Sequence, residues 1–194
     1  MGARLHPDPA VQCGFSAKRL ERVFADCFAL TLCTRLQGGA REPLYQPAAG
    51  GGDMHVLHYR EDFFASALHE IAHWCIAGPQ RRQLSDFGYW YAPDGRSATQ
   101  QQAFEAVEYK PQALEWFFSQ ACGYRFRISV DNLDSREGSL PDTDPFRRRV
   151  LAQARRWQRD GLPQRAAIYY HALCREFSTS AGPGDLIFKL TGLG

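Results

Sequence analysis

DFFASALHEIAHWCIAGP, residues 62–79, is the most strongly patterned stretch of the chain. It predicts a helix, with Asp62 as N-cap, Gly78 as the stop and Pro79 barring continuation. His69-Glu70-Ile71-Ala72-His73 is an H-E-x-x-H motif on that helix. Four residues advance a helix by about 400° and ~6 Å, so the two imidazoles project from one face, one turn apart, and can hold one metal ion. Glu70 lies about 100° around, near enough to act on a metal-bound water or a substrate without ligating. About one chain in 120 of this composition would carry the motif by accident. The bland reading, two histidines packed on a partly polar face, is weakened by the helical context.

Moving outward, Ser16 opens a helical pattern of Leu20, Val23, Phe24, Cys27 and Phe28 that Gly38-Gly39 closes. Leu44 and Tyr45, between Pro43 and Pro47, predict a short or edge strand, and residues 54–59 a second one. A strand over Phe87–Tyr91 ends at the Pro93-Asp94-Gly95 turn. A long helix runs from about Ser97 to Ala121, which Pro111 should kink or divide. Phe126, Ile128 and Val130 alternate with polar residues as a half-buried strand. A helix starting at Asp144-Pro145 reaches Asp160, and a last one covers about 164–176. The pattern predicts a single small α+β domain, a short mixed sheet packed with about five helices, the metal site on a central H-E-x-x-H helix. Residues 16–177 form that domain, 1–15 a flexible leader and 178–194 a tail without pattern.

A chain of 194 residues with 44% hydrophobic residues can bury one core but hardly two. The net charge of +2 argues neither for nucleic acid nor for a membrane. No stretch approaches the roughly 18 apolar residues of a membrane span, and MGARLHPDPA lacks the apolar core of a signal peptide. The expected compartment is the cytoplasm. The six cysteines contain no C-x-x-C pair, which predicts reduced, mostly buried thiols and no cysteine-built zinc site.

Two histidines need a third ligand. The metzincin continuation is excluded, because Ile76 and Pro79 stand where it needs Gly and His. Gln101, Glu105, Glu108 and Gln112 form one polar stripe on the long helix, so Glu105 and Glu108 are neighbours. Glu108, just before Pro111, is favoured as the ligand, and Glu105 as a residue orienting a histidine or as the alternative ligand. Such a stripe can also be a solvated face. His55 and His58 point to opposite faces of their strand and cannot chelate together. Cys75 should face the core. Arg147, Arg148, Arg149, Arg155, Arg156 and Arg159 make one helix strongly basic, either a docking surface for an acidic protein or RNA, or a solvated face.

Three protein ligands leave open positions, the mark of a catalytic site. Zn²⁺ would serve hydrolysis with Glu70 as general base; Fe²⁺ would serve oxygenation. Residue types accept both metals, and spacing alone favours a zinc peptidase.

Three blocks in order, HEIAHWCIAGPQRR (69–82), DFGYWYAPDGR (86–96) and FEAVEYKPQALEW (104–116), closely resemble the elongation factor P hydroxylase family of bacteria. The resemblance extends over roughly residues 18–175. It implies a cytoplasmic non-haem iron hydroxylase that uses dioxygen on the β-lysylated lysine of translation elongation factor P. It also implies a small α+β fold like that of a bacterial metal-dependent ribonuclease, and a 2-His-1-carboxylate site. By position His69 and His73 become ligands, with Glu108 assigned as the carboxylate. Zinc or another divalent metal can replace iron in a purified sample. A substrate side chain with two amines calls for carboxylates and aromatic faces. Glu70, Asp86, Asp94, Tyr89, Trp90 and Tyr91 stand where they could supply them, with Lys110, Gln112 and Glu115 as further pocket or supporting residues. Elongation factor P is implied to be acidic, so Arg148, Arg155 and Arg159 become a candidate docking face, with no direct nucleic-acid contact expected. A zinc peptidase and, by analogy of fold, a metal-dependent ribonuclease are the alternatives, and a non-catalytic adaptor with a structural metal is the remaining one.

Overall fold

Five helices and three strands make up the regular structure of the residues described by the computed structural model, 14–85, 97–129 and 143–193. In chain order these are α1 (Ala17–Leu32), β1 (Thr34–Ala40), β2 (Leu44–Gln46), β3 (His55–Arg60), α2 (Phe64–Ile76), α3 (Ala98–Cys122), α4 (Asp144–Asp160) and α5 (Gln164–Glu176). The sheet order is β1-β3-β2, with β1 parallel to β3 (Thr34 opposite His55) and β2 antiparallel to it (Leu44 opposite His58). The domain is therefore α+β with a mixed sheet.

The first helix is shorter than its pattern predicts. It stops at Leu32 because Cys33 takes the left-handed conformation, φ 46°. Thr34 to Gln37 then alternate buried and exposed, the period of a strand and not of a helix. Gly38 and Gly39 thus lie inside β1. Tyr59 on β3 donates to Glu21 of α1 (2.9 Å), whose same oxygen accepts from the Gly38 amide (3.1 Å). A Cβ at Gly38 would sit 2.5 Å from the Tyr59 hydroxyl, so this crossing of helix and sheet needs glycine.

α2 begins one residue later than expected. Phe63 is the N-cap in place of Asp62, without a side-chain hydrogen bond. Its apolar face drives Ile71, Trp74 and Cys75 into the core, where Trp74 meets Phe24 at 5.0 Å and Phe28 at 4.8 Å. Fully burying a side chain of this kind contributes about 1.5–3 kcal/mol each. The C-terminal end of the helix has no glycine cap. Instead Arg165, from α5, donates one nitrogen to the carbonyls of Trp74 (2.9 Å), Cys75 (3.1 Å) and Ala77, with its guanidinium over the Trp74 ring. The last turn of the H-E-x-x-H helix is held from across the molecule.

α3 starts with a reciprocal cap: Ser97 accepts from the Gln100 amide, and the Gln100 side chain accepts from the Ser97 amide. It ends at Gly123, φ 68°. It runs unbroken through Pro111, so the division allowed by the sequence does not occur. Proline removes only the bond to the Val107 carbonyl, and the apolar residues that follow (Leu114, Phe117, Phe118) keep the helix in the core.

Residues 126–129 are not a strand. Phe126 is buried and Arg125 and Arg127 exposed, as the alternation predicts, but no strand among the described residues pairs with them. Ser129 exchanges two hydrogen bonds with the Gln112 side chain (2.8 and 3.1 Å), and the Ile128 amide bonds the Leu193 carbonyl (3.3 Å). The strand expected over 87–91, like Val130, lies outside the described residues. Residues 178–193, where the sequence offers no pattern, pack behind α3. Phe188 lies against Trp116 (4.7 Å) and Phe117 (4.5 Å), and Arg147, Arg155 and Gln158 of α4 bond the carbonyls of Leu190, Phe188 and Leu186. At the other end Phe15 packs on Phe64 and Tyr124. No helix among the described residues is long and apolar enough to cross a membrane.

Candidate metal centre

α2 and α3 pack face to face. His69 and His73 project from one turn of α2, as i and i+4 positions must. Glu108, Gln112 and Glu115 project from one stripe of α3 and are all buried. The Nε2 atoms of His69 and His73 are 3.1 Å apart. Glu108 reaches both, with Oε1 3.0 Å from His73 Nε2 and Oε2 3.3 Å from His69 Nε2. His69, His73 and Glu108 are the group among the described residues whose donor atoms converge closely enough for one ion.

The donors fit a metal. An ion about 2.1 Å from each donor requires neighbouring donors roughly 3.0 Å apart in an octahedral arrangement and about 3.4 Å in a tetrahedral one. The two Nε2 atoms, 3.1 Å apart, fall in that range, and Glu108 brings one oxygen to 3.0 Å from His73 and the other to 3.3 Å from His69, with one donor from each of the three residues within 4.8 Å of the others. Two imidazoles and a carboxylate suit Fe²⁺, Zn²⁺ and their neighbours. Glu115 supports the arrangement from behind: its Oε2 is 2.9 Å from His69 Nδ1. An ionised Glu115 accepts the Nδ1 proton, which leaves the Nε2 lone pair of His69 directed at the shared point.

The acids and imidazoles are electrostatically bound to one another. Burial alone would lower the His69 pKa, but the charge and hydrogen bond of Glu108, with Glu115 adding to them, carry it well above the ordinary imidazole value. Burial likewise pushes Glu108 up, and the two imidazoles more than reverse this, holding it well below the usual carboxylate range. For Glu115 burial prevails and raises the carboxyl despite the His69 hydrogen bond. Glu70 is raised too, mainly by burial, and feels the charges of His69 and His73. Glu70 therefore borders the cluster without being one of its three converging groups.

Glu105 stands apart. It accepts a hydrogen bond from Gln101 (3.0 Å), one turn before Glu108, and is not in the converging group. The part of orienting a histidine, expected of Glu105, is taken by Glu115. The polar stripe read as 101, 105, 108 and 112 continues at the same spacing to Glu115 and to buried Ser119, and that continuation is the signal that could have singled Glu115 out. Asp86, Tyr89, Trp90, Tyr91 and Asp94 lie outside the described residues. Cys75 is buried, as expected, and His55 accepts from the Ala48 amide (2.9 Å), away from the metal group.

The arginines of α4 divide between two faces. Arg148 and Arg155 line a hollow of about 390 Å³ with Leu151, Lys189 and Leu190, and Arg155 also ties the C-terminal segment. Arg159 bonds the Arg155 carbonyl (3.2 Å). The opposite face lines a cleft of about 660 Å³ that opens at His73, with Arg81, Lys110, Gln153, Arg156, Trp157 and Asp160 in its walls. In the sequence Arg156 is only one of a basic run. Its place at the cleft depends on which side of α4 meets α3, where Arg149 stacks on Tyr109 at 4.6 Å.

A family model described as elongation factor P hydroxylase (EpmC) matches residues 23–184. The elongation factor P lysine hydroxylase of Haemophilus influenzae is 46% identical over 157 residues, covering 81% of this chain and 86% of that protein. The matched span includes α2, α3 and both walls of the metal centre, together with the start of the C-terminal segment. By a family match over most of its length and by that degree of identity, the chain belongs to the elongation factor P hydroxylase family.

Proposed function

We propose that this chain is a cytoplasmic non-haem iron monooxygenase that hydroxylates the β-lysyl-modified lysine of translation elongation factor P, with dioxygen as co-substrate. One observation carries the reading: in a chain of this family, the two imidazole Nε2 atoms of His69 and His73 stand 3.1 Å apart with one Glu108 oxygen 3.0 Å from His73 and the other 3.3 Å from His69. The name of the Haemophilus influenzae relative supports the substrate protein and the lysine target. Bound Fe²⁺ would supply dioxygen activation, since three protein ligands leave coordination positions open.

The residues of the chain have distinct tasks in this reading. His69 and His73 present their Nε2 lone pairs, and Glu108 adds the single negative charge. Glu115 fixes the tautomer of His69. Glu70, kept protonated more readily than an exposed glutamate by its burial, holds a proton beside the reacting groups. Asp86, Asp94, Tyr89, Trp90 and Tyr91 are proposed to meet the amines and methylenes of the substrate side chain. Arg148, Arg155 and Arg159 are proposed to attract the acidic elongation factor; no membrane or nucleic acid takes part.

The purified chain loaded anaerobically with Fe²⁺, then given dioxygen and a reductant, is expected to add about 16 Da, one oxygen, to β-lysylated elongation factor P. Peptide or RNA cleavage with Zn²⁺, with no such gain, would replace this reading by a hydrolytic one.

A further inference from the structure

Gln112 stands on the stripe of α3 that carries Glu108 one turn before it and Glu115 one turn after it, and it is 1% exposed. A buried primary amide needs partners for one oxygen and two N–H groups. Its Oε1 accepts from the Ser129 amide (3.1 Å), and its Nε2 donates to the Ser129 carbonyl (2.8 Å). These two bonds fix which way round the amide stands. Turned over, it would set two N–H groups against each other and two oxygens against each other. One hydrogen of Nε2 is thereby committed to Ser129. Among the described residues the further contact of Nε2 is Glu108 Oε2, at 3.5 Å.

Glu108 has a use for such a donor. The last torsion of a glutamate side chain is broad, so rotamer preference does not set the plane of its carboxylate, and contacts must. Oε1 lies 3.0 Å from His73 Nε2 and Oε2 3.3 Å from His69 Nε2. Because Oε2 is engaged by His69 at the same time, its contact with Gln112 is loose. An imidazole nitrogen that ligates an ion has no proton to donate, so both imidazole contacts cease to be hydrogen bonds when the centre is loaded. The Gln112 N–H is then the donor left to Glu108 among the described residues.

We infer that, given the metal centre of the hydroxylase reading, on which this rests, Gln112 is a positioning residue: its amide, set by the Ser129 backbone, holds Oε2 of Glu108 and so aims the carboxylate at the ion. The chain that follows α3 is thereby coupled to a metal ligand through a single side chain, a connection that the packing of α2 on α3 does not supply.

Co²⁺ is titrated into the full chain freed of metal, for the wild type, Gln112→Met, Gln112→Asn and Phe126→Leu, with affinity and the visible absorption of the bound ion as readouts. Methionine keeps the length of Gln112 and loses every hydrogen bond; asparagine keeps the amide and draws it back by one methylene. Phe126→Leu loosens the same segment where Phe126 stacks on Trp116 (5.6 Å) and leaves the amide in place. Gln112→Met is expected to weaken Co²⁺ binding at least about tenfold and to shift the absorption of the bound ion. Gln112→Asn should weaken it about threefold, and Phe126→Leu should lower the thermal midpoint with affinity within about twofold of the wild type. A Gln112→Met protein with a lower midpoint but unchanged affinity and absorption shows a merely structural amide and overturns the inference. Equal losses of affinity in Phe126→Leu and Gln112→Met overturn it as well. Should Gln112→Met not fold, Gln112→Asn decides by the same readouts, and unchanged affinity and absorption count against it. Co²⁺ binding that needs Gln112, in a chain that does not hydroxylate elongation factor P when loaded with Fe²⁺, would sink the hydroxylase reading alone. Hydroxylation with a Co²⁺ affinity indifferent to Gln112 would sink the inference alone, and no saturable Co²⁺ binding by the wild type would sink both.

Discussion

The layer between α2 and α3 and the outer faces of α4 are both crowded with charge, yet they obey different rules. In the first, Glu108, Glu115, His69 and His73 are partly or wholly withdrawn from water, and the contacts among them run from 2.9 to 3.3 Å. In the second, six arginines stand on one helix and scatter: Arg147 and Arg155 bond carbonyls of the C-terminal segment, Arg149 stacks on Tyr109, and Arg156 edges the cleft. Burial explains the contrast. A buried charge must be paired, so its position is dictated by its neighbours, whereas an exposed guanidinium has water as a partner everywhere. Function concentrated in the first layer should therefore respond steeply to single atoms, and the second should yield gradually.

Replacing Glu108 by Gln tests the steep side at its strongest. Bound iron, measured on the purified protein, should fall at least about a hundredfold in affinity, while Glu105→Gln should stay within about twofold, since a lost ligand exceeds the 10–100-fold of a lost supporting contact. Equal losses in both would erase the distinction between the two neighbours on α3. Glu115→Gln is expected to lie between, with affinity down about 10–100-fold and the helix content intact.

Protons should compete with the metal, and the direction follows from His69. Its raised pKa means that the metal-free protein still carries that proton above pH 6.5, and an ion must expel it. Apparent affinity should then rise about tenfold per pH unit over the window from 6.5 upward, levelling off once the raised value is passed. The stability of the metal-free protein should move the other way. The His69 contribution is fully present below the unfolded value near pH 6.5 and is lost as pH climbs through the folded one. Glu108, held low, contributes above its unfolded value near pH 4.3 and loses that contribution as pH falls through its lowered folded one. A metal affinity flat from pH 6 to 8 would show that the imidazole is already bare.

The smallest effect is expected on α4. Arg155→Ala removes one bond to the Phe188 carbonyl and should cost about 1 kcal/mol, seen as a thermal midpoint lower by about 2–4 °C. Iron content should not change. If it did, the C-terminal segment would be coupled to the metal layer more tightly than its contacts with Trp116 and Phe117 suggest.

How much of this could be read from the sequence follows the same division. Helical spacing alone brings His69 and His73 to one face and Glu108 to the facing stripe, because local geometry fixes both. The helices α4 and α5 were legible at their boundaries from Asp144-Pro145, Gly161 and Pro163. β1 was hidden in what looked like the end of a helix, since its pairing partner, β3, lies twenty residues on and the strand carries two glycines. Residues 178–193 have no periodicity because, apart from two 3-10 turns, they pack as irregular chain, with the carbonyls of Leu186, Phe188 and Leu190 met by side chains of α4. Arg156 comes to line the cleft at His73 only through the tertiary placement of α4 against α3.

Arg165 has a bearing on the order of assembly. The carbonyls it gathers lie 88–91 positions away along the chain, immediately after His73. Until α5 docks, the carbonyls of Trp74, Cys75 and Ala77 lack this partner and the final turn of α2 is freer to fray, and one of the two imidazoles sits on that turn. Contacts that close such long loops form late, so the ability to seize an ion should be among the last properties the folding chain acquires.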